Sequence, residues 1–153
     1  MIMSVLIFYV LWCSYDVFTT IPVKTDIVSV IVTNDKMTAL KEFDYTPDMQ
    51  PIKVSRYENL NLVYEGNRYR NGRVKNERKI LELNQTEFLV STVEKHITPG
   101  HYRINIAVDI PNYIHTGCSR FFITSYYNYS YNLLTYISPV KREISSLTFC
   151  VVD

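Results

Sequence analysis

The chain has 153 residues, of which 47% are apolar and 20% are charged. This length fits one ordinary domain, and the apolar content supports a packed core, which excludes a disordered tail. The 16 Lys and Arg nearly balance the 15 Asp and Glu, which excludes a globally basic nucleic-acid binder. Thirteen Tyr and seven Phe against only four Gly favour strands, because aromatic side chains fit a pleated, half-buried surface.

The first 13 residues carry no charged side chain. The unbroken apolar run from Val5 to Cys13 is nine residues long, whereas a membrane-spanning helix needs about 20. This is the length of a signal-peptide core, and Cys13-Ser14 supplies small residues for cleavage. We therefore expect a signal peptide over residues 1–19, cut between 13 and 20, no transmembrane segment, and a secreted domain over 20–153. The alternative is a first core strand of a cytosolic protein.

Short runs of β-branched and aromatic residues, bounded by Pro, Gly or Asn, predict strands through most of the chain. In chain order they are Ile27–Thr33, Ile52–Tyr57, Leu60–Glu65, Asn67–Arg70, Arg73–Asn76, Lys79–Leu83, Glu87–Val93, His101–Ile110, Arg120–Tyr127, Tyr131–Ser138 and Ser145–Val152. The segment Lys36–Asp44 also fits a short helix. Alternation is clearest in His101–Ile110, and it predicts four core-facing residues, Tyr102, Ile104, Ile106 and Val108.

The Asn71-Gly72 dipeptide predicts a tight hairpin, because a type I′ turn needs residues that tolerate positive φ. Six cations lie around this turn against one acid, Glu77: Arg68, Arg70, Arg73, Lys75, Arg78 and Lys79. Cations two apart along a strand project on the same side, so the hairpin predicts a cationic patch that can hold phosphate, sulfated glycan or an anionic lipid head group. The alternative is a solubilising edge that resists strand-to-strand aggregation.

Two sequons and the cysteine count agree with export. Asn84 and Asn128 each begin an N-x-[ST] tripeptide, and we expect both to be solvent-facing glycosylation sites. If Cys13 leaves with the signal peptide, the mature chain keeps one pair, Cys118 and Cys150. In an oxidising compartment this pair would form a disulfide, which requires Cα atoms within about 7 Å. The alternative is two buried free thiols in a reducing cytosol.

The sequence carries no nucleotide-binding, hydrolase or metalloprotease motif. Its three His, at positions 96, 101 and 115, lack the spacing of metal ligands, and no pair of carboxylates stands out as acid and base. A cluster of tyrosines, Tyr126, Tyr127, Tyr129, Tyr131 and Tyr136, would either form a contact surface or fill the core. We therefore expect a non-enzymatic protein without cofactor or metal.

The segment Thr98–Ile104, which reads Thr-Pro-Gly-His-Tyr-Arg-Ile, and the preceding Glu87–Val90 resemble the late strand region of the MD-2-related lipid-recognition family, which includes the ganglioside activator-like proteins. The signal peptide and the all-strand domain extend the resemblance. Members of that family hold a lipid tail between two splayed sheets, so the resemblance implies lipid carriage. It assigns no lipid-contacting residue in this chain.

Together these features predict an all-β protein, one two-sheet antiparallel β-sandwich of about eight or nine short strands, immunoglobulin-like or lipid-recognition-like. The predicted function is a secreted binding protein that carries a lipid or other apolar ligand between its sheets. The alternative is a secreted parasite or viral interaction module that binds a host protein or glycan through a Tyr- and Arg-rich face. The abundance of Ile, Tyr and Asn over Ala and Gly, which is typical of AT-rich coding sequences, favours such a source.

Overall fold

The computed structural model describes residues 2–20 and 22–153, with all their side chains except that of Ser145. Residue 1 of the predicted signal peptide and residue 21 of the predicted domain lie outside this description. Within it, the chain forms two helices and nine strands. In chain order they are α1 Ile2–Thr19, β1 Val23–Thr33, β2 Ala39–Asp44, β3 Ile52–Ser55, β4 Asn59–Arg68, β5 Gly72–Glu82, β6 Glu87–Ile97, β7 Gly100–Val108, β8 Gly117–Tyr129, α2 Leu134–Ile137 and β9 Val140–Val152.

The strands form two sheets that pack face to face. One has four strands in the order β2-β1-β4-β7, and the other has five in the order β3-β9-β8-β5-β6. Neighbouring strands are antiparallel, apart from β3 and β9, which run parallel. The predicted all-β sandwich is therefore confirmed.

The core lies between the two sheets, and β7 shows how the sequence builds it. Ile106 and Val108 are buried, while Tyr102 and Ile104 are half-buried and point the same way. The intervening polar residues are exposed, because successive side chains of a strand point to opposite faces. The predicted core position is thus confirmed for Ile106 and Val108, whereas Ile104 packs against the core from its border and Tyr102 is only half-buried.

The Asn71-Gly72 dipeptide does not close a hairpin, so this prediction is wrong. β4 before it belongs to the four-stranded sheet and β5 after it belongs to the five-stranded sheet. Gly72 pairs with Ile97 on one side and with Tyr129 on the other, and a Cβ at this position would collide with the backbone oxygen of Asn128. The glycine therefore allows close approach inside a sheet, and the chain crosses between sheets here.

Two further predictions are corrected. The segment Lys36–Asp44 forms no helix; its second half is β2, an edge strand that pairs with β1. Tyr131–Ser138, predicted as a strand, contains the short helix α2. There the Thr135 hydroxyl donates to the Asn132 carbonyl and accepts from the Tyr129 amide, and such local bonds favour a turn over a sheet ladder.

The sandwich has two distinct ends. The helix end carries Arg68 and Gly72, and α1 and α2 lie beside it. The disulfide end carries Glu82 and Val152.

Candidate binding groove on the five-stranded sheet

The six cations of the predicted patch lie in three places, because the chain crosses between sheets at Gly72 and because side chains alternate along β5. The outer face of β5 carries Arg73, Lys75 and Lys79; Arg68 and Arg78 turn toward the space between the sheets; and Arg70 binds α1. The single patch expected from a hairpin is therefore replaced by an outer cluster, an inner cluster and one buried ion pair.

A groove of about 550 Å³ lies on the outer face of the five-stranded sheet, at the helix end. In the first row of its floor Arg73, on β5, stands between His96 on β6 and Asn128 on β8. In the second row Lys75 stands between Glu94 and Tyr126. Cross-strand neighbours on one face lie about 5 Å apart, so the six side chains form one continuous surface.

The lysines of β5 are neutralised by carboxylates, whereas Arg73 is not. The Lys75 ammonium is 3.2 Å from one oxygen of Glu77, and Lys79 is 3.3 Å from the other. These two ammonium groups, led by that of Lys75, lower the pKa of the Glu77 carboxyl. Lys79 also pairs with Glu87 at 3.1 Å, the main reason why the pKa of Lys79 is raised. Among the described residues, Arg73 has no ion pair, so its charge is available to a ligand.

The aromatic wall of the groove is Tyr126. The ammonium of Lys141 lies 6.0 Å from its ring centre, opposite it in the β8–β9 ladder. Of the predicted tyrosine cluster, Tyr127 and Tyr129 are buried in the core, while Tyr131, before α2, and Tyr136, within it, are exposed. The core interpretation is therefore confirmed for Tyr127 and Tyr129, and a contact surface stays a prediction for the exposed two.

The space between the sheets is small and cationic. The cavity there measures about 30 Å³, which is about the volume of one water molecule. Arg68, Lys95 and Tyr102 border it. Burial lowers the pKa of Lys95, and the neighbouring guanidinium groups of Arg68 and Arg78 lower it further. Burial also raises the pKa of the Tyr102 hydroxyl to about 12. The buried Nε of Arg78 has no hydrogen-bond partner among the described atoms.

The two sequons lie in different settings. Asn84 is exposed in the turn between β5 and β6, where its side-chain oxygen accepts from the Thr86 amide at 2.9 Å. Asn128 is half-buried in the floor of the groove, and its Oδ1 is enclosed without a hydrogen-bond partner among the described residues. The expected exposure is confirmed for Asn84 and only partly met by Asn128. A glycan on Asn128 would occupy the groove.

The predicted disulfide joins Cys118 and Cys150. The two residues face each other across β8 and β9, with their Cα atoms 3.8 Å apart, which meets the distance requirement. Cys13 is a buried free thiol on α1. The disulfide and the apolar helix α1 both fit an exported protein.

Two polar clusters at the disulfide end escape sequence-based prediction. Glu82 accepts from the His115 backbone amide at 2.8 Å, the largest of the contacts that lower the pKa of its carboxyl. Arg56 donates to the Ile114 carbonyl at 3.1 Å and to the Asp153 carboxylate at 3.2 Å. The described residues contain no group of His, Cys, Asp or Glu arranged to hold a metal ion.

The sequence matches no protein-family model and no curated protein. The fold and the groove define the class of the protein, a disulfide-linked β-sandwich with a cationic and aromatic outer groove.

Proposed function

We propose that this protein is an exported, non-enzymatic binding module that recognises an anionic glycan of a host or a partner cell at the outer groove. The observation that carries the proposal is Arg73, an exposed guanidinium that makes no ion pair with any described residue and lies beside Tyr126 in a groove of about 550 Å³. This volume falls in the usual range for small-ligand sites, about 300–1,000 Å³. It would accept one or two sugar rings.

The chemistry of the groove suits a sulfated or carboxylated sugar. A guanidinium such as that of Arg73 binds sulfate or carboxylate through two parallel hydrogen bonds. Tyr126 offers a flat apolar face to a sugar ring, and its hydroxyl remains available for a hydrogen bond. His96, Glu94 and Asn128 add donors and acceptors for sugar hydroxyls around the same floor.

Lipid carriage between the sheets is less well supported. The cavity of about 30 Å³ holds no acyl chain, so a lipid would have to separate the sheets. The edges available for such opening are β6 and β7, the outermost strands of their two sheets. Arg68 and Lys95 border that opening, and they would meet an anionic head group.

The test of the glycan proposal is retention on immobilised heparin. The double variant Arg73→Glu/Lys75→Glu should bind heparin at least about tenfold more weakly, because a hydrogen bond to a charged group contributes about 1.5 kcal/mol or more. The matched control is Lys36→Glu/Lys53→Glu, which makes the same change in net charge at exposed sites away from the groove. Equal losses in the two variants would show that only net charge matters and would contradict the proposal.

The lipid alternative is tested on the same preparation. Protein secreted from eukaryotic cells would be extracted with organic solvent, and the extract would be analysed by mass spectrometry. We expect no stoichiometric lipid. One lipid per chain, with unchanged heparin retention in the Arg73→Glu/Lys75→Glu variant, would replace the glycan proposal with lipid carriage.

A further inference from the structure

α1 is an apolar helix that stands largely in solvent. It spans 18 residues, and only 11% of them are buried. Its apolar side chains are exposed on several sides, with Ile2 85%, Phe8 72% and Phe18 86% accessible. Soluble domains rarely expose an apolar surface of this extent unless it meets a membrane or a partner. A signal sequence and a retained membrane anchor both have this character.

One narrow face of α1 nevertheless makes specific polar contacts with the domain. Tyr9 donates to the Tyr131 carbonyl at 3.0 Å and accepts from the Leu133 amide at 3.3 Å. One turn later the Cys13 carbonyl accepts from the Asn132 side chain at 3.1 Å. The contacts at positions 9, 13 and 16 follow the spacing of residues that share one face of a helix.

The strongest contact is the third, at Asp16. Its carboxylate is buried and accepts hydrogen bonds from both terminal nitrogens of Arg70, one of them at 2.8 Å. It also accepts from the side-chain amide of the fully buried Asn132 at 2.9 Å and from the Thr20 hydroxyl at 3.2 Å. Arg70 packs over the Tyr129 ring at 4.6 Å, so the junction belongs to the domain itself.

Removal of α1 would break this junction. Cleavage after Asp16 would leave the half-buried Arg70 guanidinium and the Asn132 side-chain amide without their protein acceptor. Loss of hydrogen bonds to a charged group costs free energy even where water replaces part of them. A leader peptide discarded before folding has no physical need for a buried, bidentate contact with the folded domain. The Asp16 junction therefore favours a helix that remains attached.

A second exposed apolar surface lies on the domain next to α1. The segment from Tyr131 to Ile137 runs beside Tyr9 and exposes four large side chains: Tyr131 at 86%, Leu133 at 63%, Tyr136 at 53% and Ile137 at 83%. Tyr and Trp favour the membrane–water interface, where one edge of the ring is wet. From Ile2 to Tyr9 the helix rises about 10 Å, which reaches into one leaflet of a bilayer.

We propose that α1 is retained in the mature protein, in place of the cleaved signal peptide that the sequence predicts, and that it docks the helix end on a lipid bilayer together with the exposed Tyr131–Ile137 segment. Insertion is shallow, because the contacts at Tyr9, Cys13 and Asp16 hold the C-terminal half of α1 against the domain. The partner is the lipid surface itself. The cations of the helix end favour anionic head groups as a second, weaker contribution.

The first test is the mature N-terminus. The full chain, expressed in eukaryotic secretory cells with a C-terminal tag, should retain residues 2–19 by intact mass and should sediment with membranes in high salt. A mature chain that begins anywhere between residues 13 and 20 would overturn the proposal. This result would leave the glycan proposal untouched, because heparin retention is measured independently.

The second test uses the purified full chain and vesicles of phosphatidylcholine, with or without one third phosphatidylserine. Ile137→Asp should reduce the vesicle-bound fraction at least about tenfold, since a carboxylate is strongly disfavoured in the apolar layer. The matched control is Tyr57→Asp, a site 85% exposed at the disulfide end, where binding should not change. Equal binding of the two variants would overturn the proposed surface. A loss on removing phosphatidylserine that exceeds the loss from Ile137→Asp would show that charge, rather than insertion, holds the protein.

Discussion

The two ends of the sandwich differ in how their polar side chains are bound. At the disulfide end, Cys118–Cys150 crosses two strands, Arg56 ties the β3–β4 turn to Asp153, and Glu82 holds the loop before β8. At the helix end, Arg73 is unpaired and Asn128 keeps an enclosed oxygen without a partner among the described residues. The contrast is between an end whose charged groups are tied to loops and termini and an end that, beside the Asp16–Arg70 junction, leaves Arg73 available for contacts.

The largest effect on stability should come from removing the disulfide. The double variant Cys118→Ser/Cys150→Ser should lose about 3–4 kcal/mol of unfolding free energy, the chain-entropy value for a loop closed over a separation of 32 residues. Chemical denaturation measures the loss. Heparin retention at low temperature, where the variant stays folded, should remain that of the wild type. A parallel loss of retention would show that the two ends are coupled.

Arginines at the two ends should differ in their effect on stability. Arg56→Ala removes hydrogen bonds to a carboxylate and to loop carbonyls and should cost about 2 kcal/mol, allowing for its partial exposure. Arg73→Ala changes an exposed, unpaired side chain and should cost less than about 0.5 kcal/mol. Melting temperatures of the two variants provide the measurement. Similar shifts would mean that Arg73 also stabilises the fold.

Acid should weaken the disulfide end through Glu82. Because the hydrogen bond from the His115 amide lowers the pKa of this carboxyl in the folded state, its contribution is complete above the unfolded pKa. That contribution is lost as pH falls through the lower, folded pKa. Unfolding free energies between pH 5 and pH 3 should therefore fall more steeply in the wild type than in Glu82→Gln, by about 1 kcal/mol. Identical slopes would exclude Glu82 as a source of acid sensitivity.

The smallest expected effect concerns the sequon in the groove. In protein from eukaryotic cells, a glycan on Asn128 would compete with heparin for the floor around Arg73. Asn128→Gln should then raise heparin affinity a few-fold, whereas Asn84→Gln, at an exposed turn away from the groove, should change nothing. Peptide mass mapping establishes which site carries a glycan. Unchanged retention despite full occupancy of Asn128 would place the heparin site elsewhere.

Local patterns predicted the strands well, and long-range geometry explains the failures. The alternation in His101–Ile110 identified β7 because a half-buried strand imposes a period of two on its own sequence. Asn71-Gly72 was misleading because the choice between a hairpin and a crossing depends on which sheet each strand joins. That choice involves residues far along the chain, such as Ile97 and Tyr129.

In the candidate site, too, local patterns predicted the residues and long-range geometry decided how they are arranged. The cations of β5 were visible as a charge cluster, but their separation into outer and inner groups depended on the crossing at Gly72. The pairing of Cys118 with Cys150 followed from counting, since only two cysteines lie beyond α1. The Asp16–Arg70 junction joins α1 to the segment between β4 and β5, far along the chain, and its one local signal was a single carboxylate in a mostly apolar helix.

The parallel pairing of β3 with β9 sets a requirement on how the chain folds. Ile52 lies opposite Phe149, and Val54 opposite Val151, so most of the chain must be synthesised before β3 can join its sheet. Until then Ile52 and Val54, both buried in the native core, remain open to solvent and to other nascent chains. Contacts between such distant residues are slow to form, on a scale of milliseconds to seconds in all-β domains. We therefore expect the attachment of β3 to be a late event in folding and the stage at which the chain most needs a chaperone.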